Sequence, residues 1–285
     1  MDRLRYVLGG ILCGLLASGC GKDEIATSVQ PIPEGASGAN NAAGAGSDPT
    51  GLGPEGVPND QPQDCPPMPT LGPAQTARLE LQAVVEYGGA PLEIGDVKAD
   101  VEGGTYQVTF FSYYLGNFQL IDAQGKPHAA SLVDEQDAPL PYGLQLLNMD
   151  KPESEQLRLA GEPGQYAALR FSVGVHQACN MIPLADRIWP MSIETEMNWG
   201  WTMLNLRLEC NHKTPTAQYG LMYHVGLENE YRTVQLAIPL ELGAKPSRHT
   251  LKLAVDQLLG ADTPLVITGE DQFLTNLVSK TFTLQ

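Results

Sequence analysis

The chain has 285 residues, 42% of them hydrophobic, and a formal net charge of −16. That length is ample for one domain with a full core. The acidic balance excludes a nucleic-acid binder, whose affinity would come from Lys and Arg neutralising phosphates.

Arg3 and Arg5 form a charged start, and Tyr6 to Ala17 form an apolar run too short to span a bilayer as a permanent helix, so residues 1–20 read as a secretory signal. The run ends in Ala17-Ser18-Gly19-Cys20, which resembles a bacterial lipobox. Cleavage there leaves Cys20 as the lipid-bearing N-terminus. Gly21 after the cysteine resembles the outer-membrane-sorted class of lipoproteins. The expected address is therefore an outer-membrane lipoprotein facing the periplasm or the cell surface, with the lipid as its membrane attachment.

Residues 21–75 are rich in Gly, Pro, Ala, Asn and acidic side chains and have little to bury, so they read as a disordered tether. About 55 flexible residues reach roughly 40 Å. With Cys13 lost in the signal and Cys20 lipidated, Cys65, Cys179 and Cys210 remain. The expected disulfide is Cys179 with Cys210, since both flank the Trp-x-Trp segment inside the domain; pairing of Cys65 with either is the alternative.

Residues 76–285 read as strands. Leu79, Leu81 and Ala83 alternate with polar neighbours up to Tyr87-Gly88-Gly89; Tyr106 to Phe110 and Asn117 to Ile121 are joined through Tyr113-Tyr114-Leu115-Gly116. Tyr166 to Val175 puts Leu169, Phe171, Val173 and Val175 on one face. In Met197-Asn198-Trp199-Gly200-Trp201-Thr202-Met203 the two methionines and two tryptophans share one face of a strand, whereas Leu204, Leu206 and Leu208 share the other; a bulge near Met203 reconciles them. Leu221 to Val225, Val234 to Leu242 and Leu251 to Val255 follow, with Pro239 marking an edge or a bulge. Only Ala254 to Leu259 and Gln272 to Val278 suit short helices. The fold class expected is all-β, an antiparallel sandwich of the immunoglobulin-like or Greek-key type.

Four blocks in order resemble the MbnP-like family of secreted copper-binding proteins: Tyr113-Tyr114-Leu115-Gly116-Asn117, the run Gly164 to Val175, Met197-Asn198-Trp199-Gly200-Trp201, and Tyr223-His224-Val225-Gly226. The resemblance spans about residues 78 to 285. It implies a β-sandwich that binds copper, exported with a di-haem, peroxidase-like partner that oxidises one tryptophan to kynurenine, copper being held by His nitrogens and the kynurenine amine. Carried onto this chain, it singles out Trp199 and Trp201 for oxidation and His224 as a copper ligand. The chain departs from the family at His176-Gln177-Ala178-Cys179-Asn180-Met181, where many relatives carry Asn-His and Met181 stands in place of histidine.

Imidazole and thioether suit copper, thioether especially copper(I). Met222 lies two residues before His224 on the same strand face and is a further candidate. His176 lies opposite Phe171, Val173 and Val175, points away from the core, and is a candidate for the missing second imidazole. His128 and His212 read as loop residues and His249 as preceding a strand, and Met181, Met191 and Met203 read as core. The sequence has no Gly-x-Ser-x-Gly, His-Glu-x-x-His or Cys-x-x-Cys. The expected role is copper uptake or handling without catalysis; a metal-free lipoprotein acting as a binding or structural module is the alternative.

Overall fold

The computed structural model describes residues 65, 68–99, 103–200, 202–226, 230–259 and 270–285. The predicted signal segment, Cys20 where lipid attachment is predicted, most of the predicted 21–75 tether and Trp201 lie outside the described residues. Two sheets pack face to face. The first has the strand order β16-β15-β1-β8-β6, with β1 (Ala77–Tyr87), β6 (Ser131–Leu132), β8 (Gln156–Gly161), β15 (Ser247–Ala254) and β16 (Phe282–Leu284), and β2 (Ala90–Pro91) paired to β1. The second runs β13-β12-β4-β9-β14, with β4 (Thr105–Ile121), β9 (Gly164–Val173), β12 (Leu206–Lys213), β13 (Gln218–Val225) and β14 (Arg232–Leu242). The short β3 (Val97–Ala99), β5 (Pro127–Ala129) and β7 (Leu144–Asn148) pair with β4.

The expected β-sandwich is present, with one pairing of the other sense. β1 and β15 run parallel, from Leu79 opposite Ser247 to Glu86 opposite Ala254. The chain reaches β15 from β14 by crossing between sheets, and parallel neighbours need such a long way round. Alternation in β1 buries Leu79, Leu81 and Ala83 in one core cluster with Phe111, Leu169, Phe171, Leu206 and Leu208 of the other sheet. β14 is an edge strand whose register shifts between Ala237 and Leu240, where Pro239 cannot donate to the ladder. The two predicted helices form as α2 (Val255–Leu259) and α3 (Glu270–Ser279), and Phe273 of α3 stacks on Tyr223 at 4.4 Å between ring centres. No helix among the described residues is long and apolar enough to cross a membrane.

β4 is one continuous strand of 17 residues rather than two. It pairs with β12 over Thr105–Tyr113 and with β9 over Leu115–Ile121. At the handover the Tyr114 N–H donates to the Asn205 carbonyl (3.1 Å), and the Tyr114 carbonyl accepts from Gly174 N (2.9 Å). Asn205, 1% exposed, also accepts from Val175 N through Oδ1 (2.8 Å), and its own N–H donates to Val225 O (2.6 Å). One residue, just before β12, therefore ties β4 and β13 to the segment that follows β9. Gly174 is required beside it, because its φ is +110° and a Cβ there would lie 2.5 Å from the Asn205 amide.

Tyr113 and Tyr114 point to opposite faces of β4, as adjacent strand residues must. Tyr113 enters the main core; Tyr114 enters a second cluster with Tyr142, Leu144, Leu146, Val175, Cys179, Met191, Met197, Met203 and Leu204. That cluster is covered by the excursion between Gly174 and Asn205. Replacing Asn205 by Ala removes the side-chain acceptor of the buried Val175 N–H, so a cost of about 1–3 kcal/mol is expected, read as a lower urea midpoint with an unchanged slope. Gly174→Ala should destabilise the protein in the same assay.

Candidate functional site

The excursion from Val175 to Leu204 begins with α1 (Gln177–Asn180) and ends in a hairpin of β10 (Asn198–Trp199) and β11 (Thr202–Met203). Trp199 pairs with Thr202 and Asn198 with Met203. The predicted single strand with a four-residue sulfur and indole face is therefore incorrect. Gly200, at φ +63°, turns the chain within that stretch. Met197 and Met203 become fully buried in the second cluster, whereas Trp199 is 52% exposed. Trp201 lies outside the described residues.

Polar contacts fix the hairpin on the sheet. Asn180 Oδ1 accepts from Met203 N (3.0 Å), Leu204 N donates to Met197 O (2.8 Å), and Arg207 Nη1 donates to Glu196 O (2.9 Å). Asn148 Nδ2 donates to Glu196 Oε1, and Tyr114 Oη donates to Pro190 O (2.7 Å).

Trp199 thereby stands against His224 of β13. Their ring centres are 5.0 Å apart and the rings meet edge to face at 87°. The Nε2 atom of His224 lies 2.9 Å from Glu209 Oε1 on the neighbouring strand β12, and Arg207 Nε and Nη2 reach the same carboxylate oxygen at 2.9 and 2.8 Å. Burial works to raise the Glu209 carboxyl, but hydrogen bonds from His224 and Arg207 and their charges outweigh it and hold the group below the usual carboxylate value. An ionised carboxylate only accepts, so the proton of a neutral His224 ring sits on Nε2, and Nδ1 presents its lone pair. A carboxylate behind an imidazole is the arrangement that orients a metal-binding histidine.

Met222 follows the predicted phase. It lies on the same strand face as His224, opposite Glu209 in register, and is 71% exposed. No second imidazole joins this group among the described residues. His128 contacts Asp122 (3.0 Å), His212 is buried and stacked on Tyr106 (4.2 Å between centres), and His249 contacts Ser247 (3.2 Å). All three belong to strands, against the loop reading of His128 and His212 and the placing of His249 before its strand. The residues present thus offer one oriented imidazole and, on the same strand face, a thioether. An unmodified indole, whose nitrogen only donates, adds no ligand.

His176 departs from its predicted position. It is 5% exposed, its Nε2 lies 3.0 Å from Cys179 Sγ, and its ring meets Tyr231 edge to face. The chain turns at Gly174, so the alternation of β9 does not extend to His176, and the side chain goes inward. The predicted Cys179–Cys210 disulfide is also overturned: Cys179 is bonded to Cys65, and Cys210 is a free buried thiol. Cys210 faces the main core from β12 while Cys179 lies in the second cluster, so the central sheet separates them. Cys65 is therefore fastened to the domain although the sequence places it in the tether. Gln75 at the tether's end is buried as well, its Nε2 donating to Ala129 O, Ser131 Oγ and Ala160 O.

The architecture defines a two-sheet β-sandwich carrying a hairpin that apposes an indole and a carboxylate-backed imidazole. A sequence model of the MbnP family matches residues 75–274, and the chain belongs to that family. Among solved structures, MbnP from Methylosinus trichosporium is similar, with a TM-score of 0.45, 16% identity, and coverage of 64% of this chain and 76% of that one. No curated protein matches the sequence.

Because Glu209 is held below its ordinary value of 4.5, its interactions add stability that is fully present above that value and is lost as pH falls through the folded one. Glu209→Gln should therefore cost up to about 1 kcal/mol at neutral pH and nothing at low pH, flattening the acid limb of a stability-versus-pH curve measured by urea unfolding.

Proposed function

We propose that this protein binds one copper ion at the Trp199–His224 hairpin site and serves in copper uptake or handling outside the cytoplasm. The observation that carries the reading is the edge-to-face contact of Trp199 with an imidazole whose Nε2 is engaged by Glu209. His224 Nδ1 supplies the fixed nitrogen donor and Met222 a soft donor on the same face. Oxidation of Trp199 to kynurenine would replace an indole that cannot ligate with an aromatic amine that can. Copper is cargo in this reading, and the protein turns over no substrate of its own.

The remaining parts of the proposal rest on the sequence. Cys20 carries the lipid and places the domain at the outer membrane, and a di-haem, peroxidase-like protein oxidises the tryptophan. Support for such an encounter is the exposure of Trp199 together with Trp189 and Ile193 on the same excursion. A partner could reach Trp199 without opening the fold.

The test is peptide mapping and copper content on one sample of mature protein from its native host. The expected result is near-stoichiometric copper with the tryptophan-to-kynurenine mass gain on the peptide containing Trp199. His224→Ala should abolish binding, Glu209→Gln should weaken it about tenfold to a hundredfold, and His176→Ala should leave it unchanged. Unmodified tryptophans and no copper, even after copper is offered, would instead leave a metal-free binding or structural module.

A further inference from the structure

The second cluster is rich in sulfur. Met191, Met197 and Met203, all fully buried, share it with Cys179, and Cys65 packs against its edge. His176 stands beside the disulfide with Nε2 3.0 Å from Cys179 Sγ. The Sγ atoms of Cys65 and Cys179 and a ring nitrogen of His176 all lie within 4.8 Å of one another. Donors that share one ion through bonds of about 2.0–2.3 Å lie up to about 4.6 Å apart, so the three side chains are already gathered to the scale of a metal site. No other such group of His, Cys and acidic residues occurs among the described residues.

We propose that reduction of the Cys65–Cys179 disulfide opens a second metal site, in which the two thiolates and His176 bind copper(I). Reduction by a dithiol transfers two electrons and two protons to the disulfide, giving two thiols while the dithiol becomes a disulfide. Each thiol then loses its proton as it ligates copper, which stays in the +1 state throughout. Thiolate and imidazole in surroundings lined by thioethers select a soft ion. Cys179 and His176 are fixed, Cys179 in α1 and His176 at its start, whereas half-buried Cys65 lies at the cluster's edge and is the side chain able to swing aside as the sulfurs separate. The oxidised protein offers no thiolate here, so the redox state of one bond decides whether the site exists. The inference does not depend on copper at His224.

The test uses the full chain with Cys13→Ser and Cys20→Ser in every arm, so that the leader thiols bind nothing. Oxidised protein and protein reduced with a phosphine, the reductant then removed under anaerobic conditions, are titrated with copper(I) against a chromogenic copper(I) chelator. Reduced protein should bind one equivalent more than oxidised protein, with sulfur scatterers at the copper X-ray absorption edge. Cys65→Ser and Cys179→Ser should each abolish the extra equivalent, and His176→Ala should weaken it about tenfold or more. His224→Ala should retain it, which separates this site from the hairpin site. Equal binding by reduced and oxidised protein, survival of the extra equivalent in both cysteine variants, or loss of the fold on reduction as seen by circular dichroism would each overturn the proposal.

Discussion

The structure depends on the junction where Tyr114 passes from one neighbouring strand to another. A strand as long as β4 outlasts either partner, and its backbone groups at the changeover must still be paired because they are buried. Asn205 and Gly174 supply those bonds from their backbones, the Asn205 carbonyl accepting from Tyr114 N and Gly174 N donating to the Tyr114 carbonyl; the Asn205 side chain accepts from Val175 N, and Gly174 makes room for it by having no Cβ. The same pair closes the base of the excursion that carries α1, the buried methionines and Trp199. The residues that complete the sheet are thus also those that position the site.

The chemistry of the hairpin site follows from that anchoring. A tryptophan on an exposed two-stranded turn would ordinarily sample many positions. Here Asn180 holds Met203, Arg207 holds Glu196, and two methionines are sunk into the buried second cluster, so Trp199 is set against His224. Arg207 serves twice, since its other nitrogens meet the Glu209 carboxylate that faces His224. Backbone support and histidine orientation therefore converge on neighbouring residues of β12. Asn180 adjoins Cys179 in α1, so the disulfide that secures α1 also supports the hairpin through one side chain.

Much of this was legible in the sequence, and the failures have physical causes. Period-two alternation in β1, β9 and β14 located the sheets, Pro239 marked an edge, and Met222 and His224 share a face as their spacing requires. The Met197–Met203 stretch misled because apolar alternation is blind to a turn, and Gly200 at its centre was the signal that outweighed it. His176 was misplaced by extending a strand's phase past Gly174, where the backbone leaves the sheet. Cysteine spacing could not choose Cys65 over Cys210, because which face of the central sheet each side chain meets is a tertiary property. The Asn205 junction left no local mark at all.

Pulsed electron paramagnetic resonance on copper(II)-loaded full-length protein bears most directly on whether the Trp199–His224 pair is a metal centre. One coupled imidazole, seen through its remote protonated nitrogen and absent from His224→Ala, is the predicted spectrum. Two coupled imidazoles, or a spectrum unchanged in His224→Ala, would contradict it.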